Sequence, residues 1–211
     1  MKEHNDFILE LPNFVPKELC ERIIEKFEKS PSLYKGRVNY SGVLQVIPEL
    51  KNSMETCTCC DPLMKDDIHH EVIKYIKDAE DQYYLRLHNE NNYKQQRHML
   101  DTLFVSQPTH EYVPVVQRQS RGGKYVWHFD GTLCRHFDPK VKGFDYAIMM
   151  IYLNTLEPEE GGCTEFYHGR KIRPECGKVV IWPASWTYPH NGNEVKSDYK
   201  YTMVIQLEKQ I

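Results

Sequence analysis

Four residues in the second half of the chain have the types and spacing of a metal site with a cation beside it. His128 and Asp130 are two residues apart, and His190 and Lys200 follow later. Residues i and i+2 of an extended strand project to the same side, so the imidazole of His128 and the carboxylate of Asp130 can converge on one point. A histidine from a distant strand would complete a triangle. Two imidazoles and one carboxylate on one face of an octahedral ion, with the other positions open, suit non-haem Fe(II).

The segments around His190 and Lys200 bear on how these side chains are held. His190 follows a stretch that contains Pro183 and Pro189, which exclude a regular helix. Such a rigid segment can hold a histidine in one orientation, as a metal ligand requires; the alternative is a surface-loop histidine. Lys200 lies in an apolar strand-like run, where a charged side chain needs a partner. We interpret it as the anchor of an acidic cosubstrate, with an outward or edge position as the alternative.

Strand-like runs rich in β-branched and aromatic residues, separated by turn residues, dominate the chain from about residue 112 onward. Short strands at this spacing predict a β-sandwich or barrel. The runs 147–153 and 179–182 are almost continuously apolar, as expected for strands covered on both faces. The predicted strands are 112–117, 125–129, 146–153, 164–167, 178–182 and 199–207.

The first half of the chain predicts helices that would cover this sheet. Residues 7–15 indicate a short strand, after which Pro16 opens a helix that Pro31 ends. A second helix is predicted from about residue 66 to residue 87, with one apolar stripe and charge on its other faces. We expect both helices to pack on the sheet.

Composition and charge narrow the class of protein. A chain of 211 residues fits one large domain. Its net charge of -3 and pI of about 6.4 give no overall electrostatic preference for nucleic acid or an acidic membrane. The polar N-terminus lacks the hydrophobic core of a signal peptide, and no apolar run approaches bilayer length. We expect a soluble, cytoplasmic protein with neither a nucleic-acid nor a membrane partner.

The cysteines predict free thiols. Seven cysteines, an odd number without a regular framework, favour a reducing compartment. Cys57, Cys59 and Cys60, with His69 and His70 nearby, invite a zinc interpretation. Their spacing does not fit the paired C-x2-C pattern of structural zinc sites, and both histidines lie in a predicted helix. Reduced thiols in a loop are preferred, and zinc analysis of the purified protein would decide.

Five short motifs occur in the order found in one known family. They are Gly-x-Tyr-Val-x-His-x-Asp at 123–130, Ile-Tyr-Leu-Asn at 151–154, Gly-Gly-x-Thr-x-Phe at 161–166, Gly-Lys-Val-Val-Ile-Trp-Pro at 177–183, and His190 followed by Lys200-Tyr201. With these motifs the chain, from about Val113 onward, resembles the Fe(II)- and 2-oxoglutarate-dependent dioxygenases, and among them the prolyl 4-hydroxylase group.

The resemblance implies a mainly β (α+β) protein with N-terminal helices supporting a double-stranded β-helix, or jelly-roll, core. It implies a single domain, in which 1–110 form a support region of helices and strands and 111–211 form the catalytic core. It also implies that His128, Asp130 and His190 hold Fe(II) at the open end of the core.

The cosubstrate implied by the resemblance is 2-oxoglutarate, whose C1 carboxylate and ketone chelate the iron. Lys200 would then pair with the C5 carboxylate, and Tyr152 and Thr164 would hydrogen-bond the same group. The alternatives are a core aromatic for Tyr152 and an ordinary strand residue for Thr164. O2 is the second cosubstrate, and we expect ascorbate to support turnover.

The activity implied is hydroxylation of a peptidyl proline or a similar protein side chain, with decarboxylation of 2-oxoglutarate to succinate and CO2. One alternative is hydroxylation of a free amino acid or another small molecule. A second is a jelly-roll binding or scaffold protein that retains the metal ligands without turnover. Demethylation of nucleic acid is disfavoured by the slight acidity and by Lys200, where alkylated-base demethylases resemble one another in carrying arginines. The substrate and the oligomeric state stay open.

Several residues near the motifs depart from the pattern or lie beside the site. Asp198 stands where many prolyl hydroxylases carry glycine, and Arg118 where some relatives carry tyrosine, so part of the cosubstrate pocket is expected to differ. Trp127 and Trp186 flank the motifs in sequence, and core packing is the preferred explanation for both. The loop after Asp130 offers further candidates for substrate contact, with solvation as the default: Arg135, His136 and Lys140.

Overall fold

A computed structural model of the protein describes residues 7–41, 43–89, 112–130 and 143–210. Within these ranges the chain has thirteen strands and two α-helices. In chain order the strands are β1 (Leu9–Leu11), β2 (Tyr34–Lys35), β3 (Val38–Tyr40), β4 (Val43–Gln45), β5 (Met54–Cys57), β6 (Val115–Ser120), β7 (Tyr125–His128), β8 (Gly143–Tyr152), β9 (Thr164–Phe166), β10 (Lys171–Ile172), β11 (Val179–Pro183), β12 (His190–Gly192) and β13 (Tyr199–Gln210). The helices are α1 (Lys17–Glu28) and α2 (Ile68–Asn89), and Pro158–Glu160 form a 3-10 turn.

The strands form a large sheet, a small sheet and a separate hairpin. The large sheet has the order β1-β11-β8-β13-β6-β5-β2, the small sheet has the order β10-β9-β12-β7, and β3 pairs with β4. All of these pairs are antiparallel. Each of the six predicted strands overlaps an observed one, so the prediction of a mainly β core is confirmed.

Alternate residues of the central strands face two different layers. Ile151, Ile181 and Met203 pack with the helices, whereas Tyr152 and Val180 face the small sheet. Successive side chains of a strand point to opposite faces, so a strand covered on both sides needs apolar residues at nearly every position. The almost continuously apolar runs in β8 and β11 therefore have the covering that the sequence predicts.

The two helices cover the outer face of the large sheet. In α1 the buried apolar residues Leu19, Ile23 and Phe27 recur at helical spacing, and the helix ends at Glu28, before Pro31. Complete burial of such a side chain contributes about 1.5–3 kcal/mol. The apolar stripe of α2 is buried in the same cluster. In the described part of the chain, no helix is long and apolar enough to cross a membrane.

The structure adds short strands that the sequence did not predict. The short strand predicted at residues 7–15 is observed as β1, which pairs with β11. β5 was not predicted and pairs with β6, so the first half of the chain contributes strands to the large sheet as well as covering helices. Six strands of two to four residues were missed because a period-two pattern needs about four residues to be recognised. β8 begins at Gly143, three residues before the strand predicted at 146–153. Arg135, His136 and Lys140 lie outside the described residues.

Candidate metal centre and cosubstrate pocket

β7 and β12 bring the two histidines of the predicted triad together. The strands pair antiparallel with His128 directly opposite His190, and the two ring centroids lie 4.3 Å apart. His190 begins β12 and is 4% exposed, so the surface-loop alternative for this histidine is wrong. The pairing of two short strands therefore places two imidazoles side by side.

Each imidazole is oriented by a carbonyl of its own chain segment. Nδ1 of His128 lies 2.8 Å from the carbonyl oxygen of Val126, and Nδ1 of His190 lies 3.0 Å from that of Tyr188. A carbonyl only accepts, so we assign the ring proton to Nδ1, which leaves the lone pair of Nε2 free for a metal. Burial and the neighbouring His190 lower the pKa of His128 to about 4, so this ring is neutral at neutral pH.

The carboxylate of Asp130 lies beside both Nε2 atoms. Its Oδ1 is 3.9 Å from Nε2 of His128 and its Oδ2 is 3.3 Å from Nε2 of His190. One ligand atom from each of the three residues lies within 4.8 Å of the others. Oδ2 is buried and accepts no hydrogen bond from the described residues. An unpartnered buried carboxylate oxygen is costly, and a divalent ion would satisfy it; two imidazoles and one carboxylate fit Fe(II).

Aromatic rings restrict both imidazoles. Tyr125 stacks on His128 with ring centroids 3.6 Å apart and planes inclined by 19°. Trp182 meets the ring of His190 edge-on at 5.0 Å, and Phe166 lies 5.5 Å from it. Packing of this kind holds ligand rotamers in place before a metal binds.

Sequence reasoning missed a buried ion pair behind Tyr125. Lys51 Nζ lies 2.6 Å from Glu55 Oε1, and both side chains are almost completely buried. Ser53 donates a hydrogen bond of 2.8 Å to the same carboxylate oxygen. Lys51 Nζ also lies 5.2 Å above the ring of Tyr125, which stacks on His128. The only signal in the sequence is a Lys-Glu spacing of four residues, which surface pairs share.

Lys200 lies inside the fold. Its strand, β13, runs between β8 and β6, and the residue is 3% exposed, so the outward or edge alternative is wrong. Its ammonium lies 5.6 Å above the ring of Tyr152 and has no carboxylate or hydrogen-bond partner among the described residues. Burial lowers the pKa of Lys200 to about 8. A carboxylate ligand would supply the missing countercharge.

Gly162 leaves room for the side chain of Lys200. Its φ is +69°, a left-handed conformation that favours glycine. A Cβ on this residue would lie 2.7 Å from Leu156 Cδ1 and 3.3 Å from Lys200 Cδ. The second glycine of the Gly-Gly motif therefore borders the lysine pocket.

Tyr152 and Thr164 connect the lysine pocket with the small sheet. The hydroxyl of Tyr152, which is completely buried, donates a hydrogen bond of 2.6 Å to Thr164 Oγ1. Burial raises the pKa of Tyr152, so its hydroxyl remains a donor. Thr164 lies opposite Gly192 of β12, the strand that begins with His190. The two residues predicted to contact the cosubstrate thus touch each other; Tyr152 lies beside Lys200, and Thr164 lies on the strand next to the one that begins with His190.

Arg118 faces away from this pocket. Its Nη1 lies 2.7 Å from Glu28 Oε2, and its guanidinium lies 5.0 Å from the ring centre of Tyr199. The following residue, Gln119, is buried and stands opposite Lys200 in the pairing of β6 with β13. Gln119 is therefore the pocket-side residue of β6 that sequence reasoning missed, although the period-two alternation of the strand could have identified it.

Several aromatic side chains close in sequence to the site residues are exposed. Trp127 is 48% and Trp186 is 74% exposed, so the prediction of core packing for both is wrong. Phe129 is 46% and Tyr167 is 79% exposed, and the rings of Trp127 and Tyr167 meet edge-on at 6.2 Å. Exposed aromatic residues of this kind often mark a contact surface for a ligand. We refer to Trp127, Phe129, Tyr167 and Trp186 together as the exposed aromatics.

A comparison with protein families identifies the second half of the chain. Residues 114–207 match the family model of the 2OG-Fe(II) oxygenase superfamily, which confirms the resemblance seen in the sequence motifs. This superfamily is defined by Fe(II), 2-oxoglutarate and O2. No curated protein matches the chain.

Solved structures of prolyl hydroxylases are similar to this chain over nearly its whole length. A viral collagen prolyl hydroxylase from Paramecium Bursaria Chlorella virus-1, in complex with 2OG, is 22% identical with a TM-score of 0.62, and the match covers 98% of each chain. A Pseudomonas putida prolyl-4-hydroxylase is 14% identical with a TM-score of 0.63, over 96% of this chain and 94% of the other.

A third similar structure is a Trichoplax adhaerens prolyl hydroxylase in complex with a peptide fragment of the hypoxia inducible factor oxygen degradation domain. It is 13% identical with a TM-score of 0.64, over 96% of this chain and 83% of the other. At these identities the likeness shows the fold. The predicted jelly-roll core with supporting helices is thereby confirmed.

Proposed function

Because residues 114–207 carry a domain of the 2OG-Fe(II) oxygenase superfamily, we propose that the protein is a dioxygenase that hydroxylates a peptidyl proline or a similar protein side chain. The observation that carries this proposal is the pairing of two features in one fold. A triad of two histidines and one carboxylate lies at the small sheet, and a buried ammonium, that of Lys200, lies in the large sheet without a carboxylate partner among the residues that the structure describes.

His128, Asp130 and His190 would hold the iron. Bound Fe(II) supplies the activation of O2 and the oxidative decarboxylation of 2-oxoglutarate to succinate and CO2, whose chemistry belongs to the cofactor. The chain contributes the orientation of the ligands: both Nδ1 atoms lie within hydrogen-bonding distance of backbone carbonyls, and Asp130 Oδ2 has no competing partner among the described residues. Ligand atoms held in this way need little rearrangement when the ion binds.

Lys200 would bind the C5 carboxylate of 2-oxoglutarate. The ammonium is buried, so its attraction to a carboxylate is weakly screened by solvent, and no carboxylate among the described residues pairs with it. The hydroxyls of Tyr152 and Thr164, joined by a hydrogen bond of 2.6 Å, are the polar groups suited to bind the same carboxylate. An anchor at the C5 end would leave the C1 carboxylate and the ketone of the cosubstrate as the groups available to the iron.

The exposed aromatics support a peptide rather than a free amino acid as the substrate. A free amino acid is small enough to be recognised inside the pocket, whereas a peptide extends over the surface around it. Large aromatic side chains that are 46–79% exposed offer that extended contact area. The similar structure from Trichoplax adhaerens holds a peptide, which agrees with this choice.

The proposal is tested by supplying Fe(II), 2-oxoglutarate and ascorbate together with proline-containing peptides or with free amino acids. We expect succinate formation that a peptide stimulates, and a peptide product heavier by about 16 mass units, the mass of one oxygen atom. Stimulation by a free amino acid alone would replace the peptide assignment with that of a small-molecule hydroxylase. Absence of iron-dependent succinate under all conditions would leave a jelly-roll binding protein and contradict the proposal.

A further inference from the structure

Three cysteine thiols converge at the turn that follows β5. Cys57 is the last residue of β5, and Cys59 and Cys60 lie in the turn. The Sγ atoms of Cys57 and Cys59 are 2.8 Å apart, and those of Cys59 and Cys60 are 3.6 Å apart. All three lie within 4.8 Å of one another. The cysteines in the described ranges are free thiols, so this thiol cluster, Cys57, Cys59 and Cys60, is available for ligation.

The turn is organised by hydrogen bonds that do not use the thiols. The carbonyl oxygen of Cys57 accepts from the backbone N–H groups of Cys60, at 3.2 Å, and Asp61, at 2.9 Å. The carboxylate of Asp61 is completely buried, and it accepts from Leu63 N at 2.9 Å and from Thr56 Oγ1 at 3.1 Å. The thiol cluster is therefore held by a fixed backbone, as a pre-organised binding site requires.

We propose that the thiol cluster is a three-thiolate site for a soft metal ion, zinc(II) or copper(I). Thiolate sulfur selects these ions over hard cations. Zinc-sulfur bonds of about 2.3 Å place the sulfur atoms of a tetrahedral site about 3.8 Å apart. The distances of 2.8 and 3.6 Å reach that value with shifts of about 1 Å or less. The paired C-x2-C pattern is absent, but the tight turn brings adjacent and next-nearest cysteines to one point.

Solvent would occupy the remaining coordination position of a tetrahedral ion. Cys60 is exposed and Cys57 and Cys59 are half-buried, so one side of the thiol cluster is open. His69 stands nearby, but its Nδ1 lies 3.0 Å from Thr58 Oγ1 and thus faces another partner. This arrangement matches metal sites with three protein ligands and one open position.

Metal binding at the thiol cluster must displace protons. Burial and the contacts with its two neighbours raise the pKa of the Cys59 thiol, so this thiol is protonated at neutral pH in the metal-free protein. A protonated thiol is a poor nucleophile, which disfavours a role in covalent chemistry. One divalent ion binds three thiols as thiolates and releases three protons, so the apparent affinity rises with pH.

The thiol cluster is separate from the triad and outside the oxygenase domain at 114–207. It joins the end of β5, which pairs with β6, to the segment that leads into α2. All three ligands lie within residues 57–60, so a bound ion would fix the turn at the end of β5. The inference does not rest on the proposed function.

The test is a cobalt(II) titration of the full chain, reduced and freed of metal by a chelator. The Asp130→Ala, His190→Ala double variant serves as the background, because it removes two ligands of the triad. Thiolate ligands give cobalt an intense charge-transfer band in the near ultraviolet that histidine and carboxylate ligands do not give. We expect one equivalent of cobalt to develop this band and one equivalent of zinc(II) to abolish it.

Cys59→Ser in the same background is expected to lose the band and to weaken zinc binding by more than the roughly 100-fold that loss of an outer hydrogen-bond partner costs. Cys176→Ser, which removes a thiol elsewhere, is the matched control and should keep both. In the unsubstituted chain, zinc should also protect the three clustered thiols, and no other described cysteine, from alkylation.

Two results would overturn the inference. One is cobalt binding without a thiolate band, or with a band that Cys59→Ser leaves unchanged. The other is a disulfide between Cys57 and Cys59 in protein purified without oxidant, seen as a chain lighter by two hydrogens that zinc does not protect. A Cys59→Ser chain that fails to fold is replaced by Cys60→Ser, at the exposed position.

Discussion

Replacing Lys200 with methionine should have two opposite effects, on cosubstrate binding and on stability. Methionine nearly preserves the volume of the buried stem and removes the charge. Truncating one partner of a buried, hydrogen-bonded charge pair costs about 2–5 kcal/mol. Since about 1.4 kcal/mol corresponds to a factor of ten, the half-saturating concentration of 2-oxoglutarate should rise roughly 30- to 4,000-fold.

The same substitution should stabilise the protein without its cosubstrate. Burial lowers the pKa of Lys200 from 10.5 to about 8, which corresponds to about 3 kcal/mol against the charged form in the folded state. The penalty is fully present below pH 8 and disappears as the pH rises from about 8 to 10.5, because only the unfolded chain then keeps the proton. At neutral pH, the Lys200→Met variant should be more stable than the unsubstituted protein by up to about 3 kcal/mol. Its free energy of unfolding should not increase between about pH 8 and 10.5, as that of the unsubstituted protein does.

The assay combines succinate formation against 2-oxoglutarate concentration with denaturant unfolding at several pH values. Lys178→Met is the matched control, because Lys178 is also buried but lies 3.1 Å from Glu175 and 3.6 Å from Glu10. The control should lose stability and keep the 2-oxoglutarate requirement. An unchanged half-saturating concentration of 2-oxoglutarate in Lys200→Met would refute the role of Lys200 as the anchor of the C5 carboxylate. A lower free energy of unfolding in this variant would show that a countercharge stabilises the buried ammonium.

Three further predictions concern the same pocket. In the unsubstituted protein, the affinity for 2-oxoglutarate should fall above pH 8, by up to about tenfold per pH unit, because Lys200 loses its proton. The affinity of Lys200→Met should show no such fall. An affinity of the unsubstituted protein that stays constant from pH 7 to about 9.5 would contradict this prediction. Gly162→Ala should lower the free energy of unfolding in denaturant by about 1–3 kcal/mol, because φ at this residue is +69°. It should also raise the half-saturating concentration of 2-oxoglutarate, because the new Cβ contacts the side chain of Lys200. Unchanged stability and kinetics would exclude both effects. Tyr152→Phe should raise the half-saturating concentration of 2-oxoglutarate roughly 10- to 100-fold, because a hydrogen bond to a charged group is lost. A circular dichroism spectrum like that of the unsubstituted protein is the control for folding. Unchanged kinetics would mean that Tyr152 contributes packing alone.

The central strands could be predicted because burial on both faces of a strand requires an almost continuously apolar sequence. β8 and β11 are apolar at nearly every position, and the structure covers them with helices on one side and the small sheet on the other. β12 has no such apolar pattern, since it has three residues and follows a proline-rich segment. Its pairing with β7, which no local pattern contains, is what puts His190 opposite His128.

Residue type alone misassigned other positions. Trp127 and Trp186 belong to a residue type that is common in cores, but exposure depends on the layer that covers a strand or loop, and the described residues leave these two 48% and 74% exposed. The free thiols at Cys57, Cys59 and Cys60 were predicted, but their convergence was not, because the spacing rule describes two paired turns and these cysteines lie around one. Lys51 and Glu55 could not be told from a surface pair, because their burial depends on tertiary packing.

The most direct test of the account is Fe(II) binding and succinate formation by the Asp130→Ala variant, measured without oxygen for binding and with oxygen for turnover. Asp198→Ala, which removes an exposed carboxylate paired with Arg121, is the control and should behave as the unsubstituted protein. We predict one Fe(II) per chain at the triad in the unsubstituted protein and loss of both that iron and succinate in Asp130→Ala. Undiminished succinate formation by Asp130→Ala would contradict the assignment of this carboxylate as an iron ligand.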